Sequence, residues 1–213
     1  MILQDERISR LLYNTPMGKL ITIVGASGVG KTALVNALSK AYPFATAYEQ
    51  HAERPFQALF KQDKKYALAN QIDYLLLRAK QERELRTSLH IGLMDGGLDL
   101  DFHGFTRLFL SRNLLTEPEF DLCRRVYALI RESLPMPELI VRLCADEITV
   151  ADRLSGRKRI NIASAEDTAL FNSFLDKWLA SVPPHQKLDL DVTNESINYS
   201  HSVATILNKL ADW

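Results

Sequence analysis

The chain has 213 residues, 26 Lys plus Arg against 26 Asp plus Glu, a formal net charge of +0 and a hydrophobic share of 46%. That length and apolar share suit one domain, read over residues 1–213, with a substantial core, and the charge balance offers no global field for nucleic acid or an anionic membrane surface, so neither is an expected partner. Cys123 and Cys144 lack metal-ligand and disulfide-framework spacing, no apolar run approaches a membrane span, and Met1–Arg7 lacks a signal-peptide core, so a reduced, cytoplasmic protein without a metal cluster is expected.

In chain order, residues 1–17 read as a short helix or a lead-in arm. Leu20-Ile21-Thr22-Ile23-Val24 is a short β-branched strand, and Lys31 to Lys40 has the pattern of a helix. Between them lies Gly25-Ala26-Ser27-Gly28-Val29-Gly30-Lys31-Thr32, the glycine-rich phosphate-binding pattern. Its glycines let backbone N–H groups turn inward on a polyphosphate at the positive end of the following helix. Lys31 then faces the outer phosphates, and the Thr32 hydroxyl helps hold a Mg²⁺ that bridges them. Binding of a nucleoside triphosphate follows.

Pro43 breaks the first helix, and Phe44–Tyr48 reads as a second strand ending at Glu49. An acid at a strand's C-terminal edge lies where open α/β sheets bind ligands. Residues 52–86 are helical in pattern, with a break near Gln62-Asp63 and apolar Ile72, Leu75, Leu76 and Ala79 recurring on the second helix. Gln71 falls among these. Turned inward, it needs a hydrogen-bond partner; turned outward, it is solvated. Leu89–Met94 reads as a strand that delivers Asp95 to the same edge, followed by Gly96-Gly97 and helices over about 104–111 and 118–134. Glu138–Ala145 reads as a strand and Asp146–Leu154 as a helix that runs into Arg153, Arg157 and Arg159, a cluster suited to folding onto phosphates. A long helix to about Ala180, a strand at Lys187–Val192 and a helix at Asn198–Leu210 complete the chain. Strands alternating with helices predict an α/β fold, with about five parallel strands flanked by helices.

The ordered set resembles the deoxynucleoside kinase family in its small P-loop kinase form. The residues that carry the resemblance are Gly25–Thr32, Glu49, Pro55-Phe56, Leu59-Phe60-Lys61, Lys64–Ala67, Gln71, Leu76-Leu77-Arg78, Asp95, and Pro137–Val141 before the Arg-rich segment. The resemblance implies a three-layer P-loop kinase fold with a lid over about residues 153–163. It implies transfer of a phosphoryl group from ATP, with Mg²⁺, to the 5′-hydroxyl of a nucleoside-like acceptor. Glu49 would be the catalytic base, and Thr32, Glu49 and Asp95 the metal-side residues. Gln71 would read the base, Phe60 and Asp95 would line the acceptor, and Lys31 with Arg153, Arg157 and Arg159 would neutralise phosphate charge. A helix-paired homodimer is also implied.

Three positions depart from the family pattern. Gly96 stands where better-known members carry an Arg, and Arg107 or Arg112 is then expected to supply the charge. Phe60 stands in place of a sugar-binding Tyr, and Asn161 or Ile162 in place of an acidic lid residue, leaving Tyr66 and Asn70 as nearby polar candidates. Two other readings share the cradle: a P-loop kinase acting on another small molecule or a nucleoside monophosphate, and a nucleotide-binding regulatory protein without acceptor chemistry. A GTPase reading is weak, because Asn208-Lys209-Leu210-Ala211 lacks the Asp of a guanine motif.

Overall fold

The computed structural model of the protein describes residues 17–48, 54–155, 165–211 and 213. Strand β1 (Leu20–Val24) is buried along its whole length and forms the centre of a five-stranded sheet. It pairs in parallel with β3 (Gly92–Asp95) on one side and β4 (Leu139–Cys144) on the other. The outer strands β2 (Ala45–Ala47) and β5 (Lys187–Asp191) pair with β3 and β4, giving the order β2-β3-β1-β4-β5. Continuous apolar runs such as Leu20–Val24 suit a strand covered on both faces.

Helix α1 (Lys31–Ala41) leaves the phosphate loop and packs on one face of the sheet with α8 (Ser200–Leu210). Leu34, Val35 and Leu38 of α1 bury with Ile21, Ile23, Val141 and Ile206. The opposite face is covered by a helix over 98–111, called α4 after α2 (Pro55–Gln62) and α3 (Ala67–Arg86), and by α7 (Ala165–Leu179). Helix α5 (Glu117–Ser133) packs on α3, while α6 (Glu147–Ser155) follows β4.

Two boundaries differ from the sequence pattern. Helix α4 starts at Leu98 rather than near Gly104, passing through a π-helical stretch at Asp101–Thr106. Gly104 lies inside the helix because the Phe171 ring presses on it: a Cβ there would sit 2.5 Å from that ring. Strand β3 starts at Gly92, not Leu89, whose side chain is exposed.

Helix α3 descends from the C-terminal edge of the sheet to its N-terminal edge. At the lower end Arg86 donates to Gly18 O (2.9 Å), Glu138 (3.2 Å), Pro135 O (3.0 Å) and Met136 O (3.0 Å). Arg131 of α5 bridges Glu82 of α3 (2.8 Å) and Asp99 of α4 (2.7 Å). Burial works against the Arg131 charge, but Asp99 and Glu82 outweigh it and raise its pKa above the usual arginine value. With these charges satisfied, α3 can bury a polar face.

Candidate active site

Strand β1 ends in a loop that only glycine-rich sequence permits. Gly25 and Gly30 have φ of 143° and 112°. A Cβ would lie 2.7 Å from Leu143 O at the first and 2.1 Å from Tyr199 Oη at the second. Backbone therefore approaches backbone and ring at distances no side chain allows. The loop leads into α1, which carries no acid in its own first turn, so its positive end faces the loop mouth. Lys31 Nζ donates to Gly25 O (2.9 Å) and Ala26 O (3.0 Å), which holds the ammonium across that mouth.

Because β3 lies beside β1, Asp95 arrives next to the start of α1. Thr32 Oγ1 donates to Asp95 Oδ2 at 2.5 Å, across 63 residues of chain. Asp95 is 0% exposed, and its Oδ1 has no hydrogen-bond partner. A buried carboxylate oxygen left unpaired is costly unless a cation or donor meets it. The pair thus fits Mg²⁺, an ion commonly bound by one or two protein oxygens plus substrate phosphates and water. Among the described residues no group of three or more His, Cys, Asp or Glu side chains is arranged to hold a metal ion. Glu49, the third residue expected on the metal side, lies outside the described residues.

Arg153 lies beside this loop. Its guanidinium donates to Val29 O (2.8 Å) and Val192 O (2.9 Å), joining the phosphate loop to the segment after β5. Arg157, Arg159, Asn161 and Ile162 lie outside the described residues, as does Glu49. Tyr48, which precedes Glu49, accepts a hydrogen bond at its carbonyl from Gln81 Nε2 (3.3 Å).

The wall beside these strand ends is the polar face of α3. Gln71, Arg78, Gln81 and Asn70 are all buried. Arg78 donates through Nε to Asp101 (2.9 Å) and through Nη1 to Gln81 (3.2 Å) and Asp95 O (3.2 Å). Thr106 Oγ1 lies 3.0 Å from both Gln71 Oε1 and Asp101 O, and its single proton serves one of them at a time. Gln71 is therefore turned inward. Phe60 is buried, stacks on Phe109 with ring centroids 5.1 Å apart, and carries Lys64 Nζ 4.3 Å above its ring.

The charge expected from Arg107 or Arg112 is not there. Arg107 lies over the Phe102 and Phe120 rings at 6.0 and 5.9 Å, and Arg112 pairs with Asp167 (2.7 Å). The guanidinium next to Gly96 is instead that of Arg78, whose Nη2 would be 3.3 Å from a Cβ at that position. Sequence reading also passed over Asp101, Thr106 and Gln81. The available signal was Gln71, Arg78 and Glu82 at helical spacing, which puts three polar side chains on one face of the helix. Cys123 plays no nucleophilic part here, since burial pushes its thiol up to about 11. Asn208 and Lys209 fall within α8.

The sequence profile described as deoxynucleoside kinase matches residues 21–212. Among characterised proteins, the chain is 23% identical over 190 residues to a deoxyguanosine kinase of Bacillus subtilis (strain 168), covering 89% of this chain and 90% of that one. It is 20% identical over 209 residues to a deoxyadenosine/deoxycytidine kinase of the same organism, covering 93% and 94%. A solved structure of a deoxyadenosine kinase from M. mycoides, with products dCMP and a flexible dCDP bound, superposes with a TM-score of 0.75 at 21% identity. That match covers 91% of this chain and 100% of that one.

Proposed function

The chain belongs to the deoxynucleoside kinase family and is a nucleoside kinase, and from that premise we propose how its residues divide the work between a donor and an acceptor. The observation that carries the reading is one juxtaposition: the Lys31-spanned loop, the Thr32–Asp95 pair and the polar face of α3 converge on the C-terminal ends of β1 and β3. A phosphate cradle needs only the first two. The polar wall supplies a place for an alcohol-bearing acceptor.

The donor is ATP, whose phosphates lie in the loop Gly25 to Thr32 with Lys31 on the outer two. Thr32 and Asp95 would hold Mg²⁺ from the protein side, where it would supply charge neutralisation on the transferring group. Glu49, one residue beyond Tyr48, accepts the proton of the 5′-hydroxyl as that oxygen attacks the γ-phosphorus, whose bond to the β,γ-bridging oxygen breaks and releases ADP. Gln81, tied to Tyr48 O and to Arg78, supports the alignment of the two strand ends on which base and metal residue are carried. Arg157 and Arg159 bring positive charge over the phosphates, while Arg153 clamps the loop from the donor side. Gln71 reads the base, and Phe60 forms an apolar wall of the acceptor pocket. Positioning and charge supply the rate, because phosphoryl transfer requires little covalent help.

We place the protein in the cytoplasm as a homodimer, with residues 1–213 as one kinase domain. Leu76 on α3 and Leu122 and Leu129 on α5 are 55%, 36% and 66% exposed, on two helices that pack together, and suit a second copy of the chain. No helix among the described residues is long and apolar enough to cross a membrane.

Acceptor-dependent formation of ADP tests the reading. Protein, ATP and Mg²⁺ are incubated with ribo- and deoxynucleosides and with their monophosphates. ADP formed with a nucleoside and not with monophosphates is the expected result. Turnover of monophosphates alone would overturn the acceptor assignment, and no acceptor-dependent ADP would overturn the catalytic reading.

A further inference from the structure

Asn70 is the polar side chain on α3 that no interaction explains. It is 0% exposed, and neither its Oδ1 nor its Nδ2 has a hydrogen-bond partner. Burying an amide with both polar atoms unpaired is costly, and a leucine at the same place would cost nothing of the kind. Every other buried polar residue on α3 has a partner: Gln71 meets Thr106, Arg78 meets Asp101, Gln81 meets Tyr48 O, and Glu82 meets Arg86 and Arg131. The exception is adjacent in sequence to the residue assigned to base reading.

Its position along the helix says which part of an acceptor it meets. Asn70, Tyr74 and Gln81 follow one line down α3, and Gln81 ends that line on the carbonyl of Tyr48. Arg78 marks the level of the sheet edge, since it donates to Asp95 O. Asn70 lies eight residues earlier, about 12 Å further out along the helix at about 1.5 Å per residue. Gln71 lies at nearly the same height. A nucleoside with its 5′-oxygen at the strand ends spans the lower part of that rise with its sugar and the upper part with its base. Asn70 therefore stands at the level of the base, not of the sugar, which removes it as the substitute for a sugar-binding tyrosine.

Resting on the kinase reading above, we propose that Asn70 is a second base-reading carboxamide, taking the N7 edge while Gln71 takes the N1 edge, and that the acceptor is a 6-aminopurine nucleoside. A carboxamide carries a donor beside an acceptor and pairs with a base edge of the complementary pattern, as Asn and Gln do with N6 and N7 of adenine. A pyrimidine presents one such edge, which Gln71 is sufficient to take, and turns carbon atoms to the other side. Adenine presents two, N1 with the amino group and N7 with the amino group, so two amides at one level both find partners. With a pyrimidine the Asn70 amide stays unpaired and its burial cost is not recovered.

The test compares 2′-deoxyadenosine, 7-deaza-2′-deoxyadenosine, which lacks N7, and 2′-deoxycytidine on the full chain and on Asn70→Leu. For the native chain kcat/KM falls about 10- to 100-fold on loss of N7. In Asn70→Leu that difference collapses to within about twofold, because 2′-deoxyadenosine loses what the 7-deaza compound never had, while ATP affinity holds and the melting temperature holds or rises. A merely structural Asn70 predicts the reverse: a lower melting temperature and an unchanged N7 effect. Indifference of the native chain to N7, persistence of the N7 effect in Asn70→Leu, or a preference for 2′-deoxycytidine would each overturn the proposal while leaving nucleoside kinase activity intact. Failure of the native chain to phosphorylate any nucleoside would strike the kinase reading itself, an outcome separable by the nucleoside panel.

Discussion

Replacing Asp95 by Asn separates catalysis from stability, because the two respond with opposite sign. The carboxylate is fully buried, receives one hydrogen bond, from Thr32 at 2.5 Å, and leaves Oδ1 without a partner. Asparagine has nearly the same shape and keeps an acceptor for Thr32. Removing the charge relieves a desolvation cost, so the variant should be as stable as the native chain or more stable by about 1 kcal/mol. It also removes the anionic oxygen assigned to the metal. At about 3 kcal/mol of lost transition-state stabilisation, turnover falls about 100- to 1000-fold, and half-saturation by Mg²⁺ moves upward. The assay is ADP formation against Mg²⁺ concentration at saturating ATP and nucleoside, paired with urea unfolding of each form. Turnover within about threefold of native, or a loss of more than about 2 kcal/mol in stability, would refute the reasoning: the first would remove Asp95 from the metal site, the second would make it a structural anchor.

Arg153→Met unclamps the phosphate loop from Val192 and should raise the ATP KM about tenfold, with the nucleoside KM within about twofold; an unmoved ATP KM counts against the donor-side role. His103 stacks on Trp178 with centroids 5.0 Å apart, and burial, with Arg107 and Arg131 nearby, lowers its pKa to about 3 from 6.5. Its folded-state pKa lies below the unfolded value, so the neutral ring contributes stability that is present above about pH 6.5 and is lost as pH falls toward 3, at up to about 1.4 kcal/mol per unit. Thermal melts of His103→Phe should therefore flatten between pH 6.5 and 4 relative to the native chain, and parallel curves would show that another group drives acid loss. Leu129→Glu places a charge on a side chain 66% exposed, so light scattering should report a monomer with an unchanged melting curve, and a retained dimer would move the interface off this face.

The phosphate loop was legible because its chemistry is local. Gly25, Gly30, Lys31 and Thr32 lie in one strand-to-helix turn, and no distant contact is needed to bring their donors to one mouth. The α/β class and the parallel sheet followed from the alternation of elements for the same reason. In helix α3 apolar periodicity does not mark the buried face: Leu76 is 55% exposed, while Gln71, Arg78, Glu82 and Arg86 face inward. Periodicity assumes that what is buried is apolar. Here the buried stripe is polar and is satisfied by Asp101, Thr106, Arg131 and Glu138, residues contributed by later parts of the chain.

The sequence by itself determined the glycine-rich turn of Gly25 to Thr32, with its Lys and Thr, and the fold that carries it. Tertiary structure alone decided the polar wall of α3 beside it. Whether Asp95 meets Thr32, whether Arg78 fills the space beside Gly96, and whether Asn70 is left unpaired all depend on β3 lying next to β1 and on α3 descending past both. Hydrogen bonds act over about 3 Å and charges a little further, whereas these partners are separated by tens of residues of chain. No spacing rule along the sequence reports which of them the sheet order brings together.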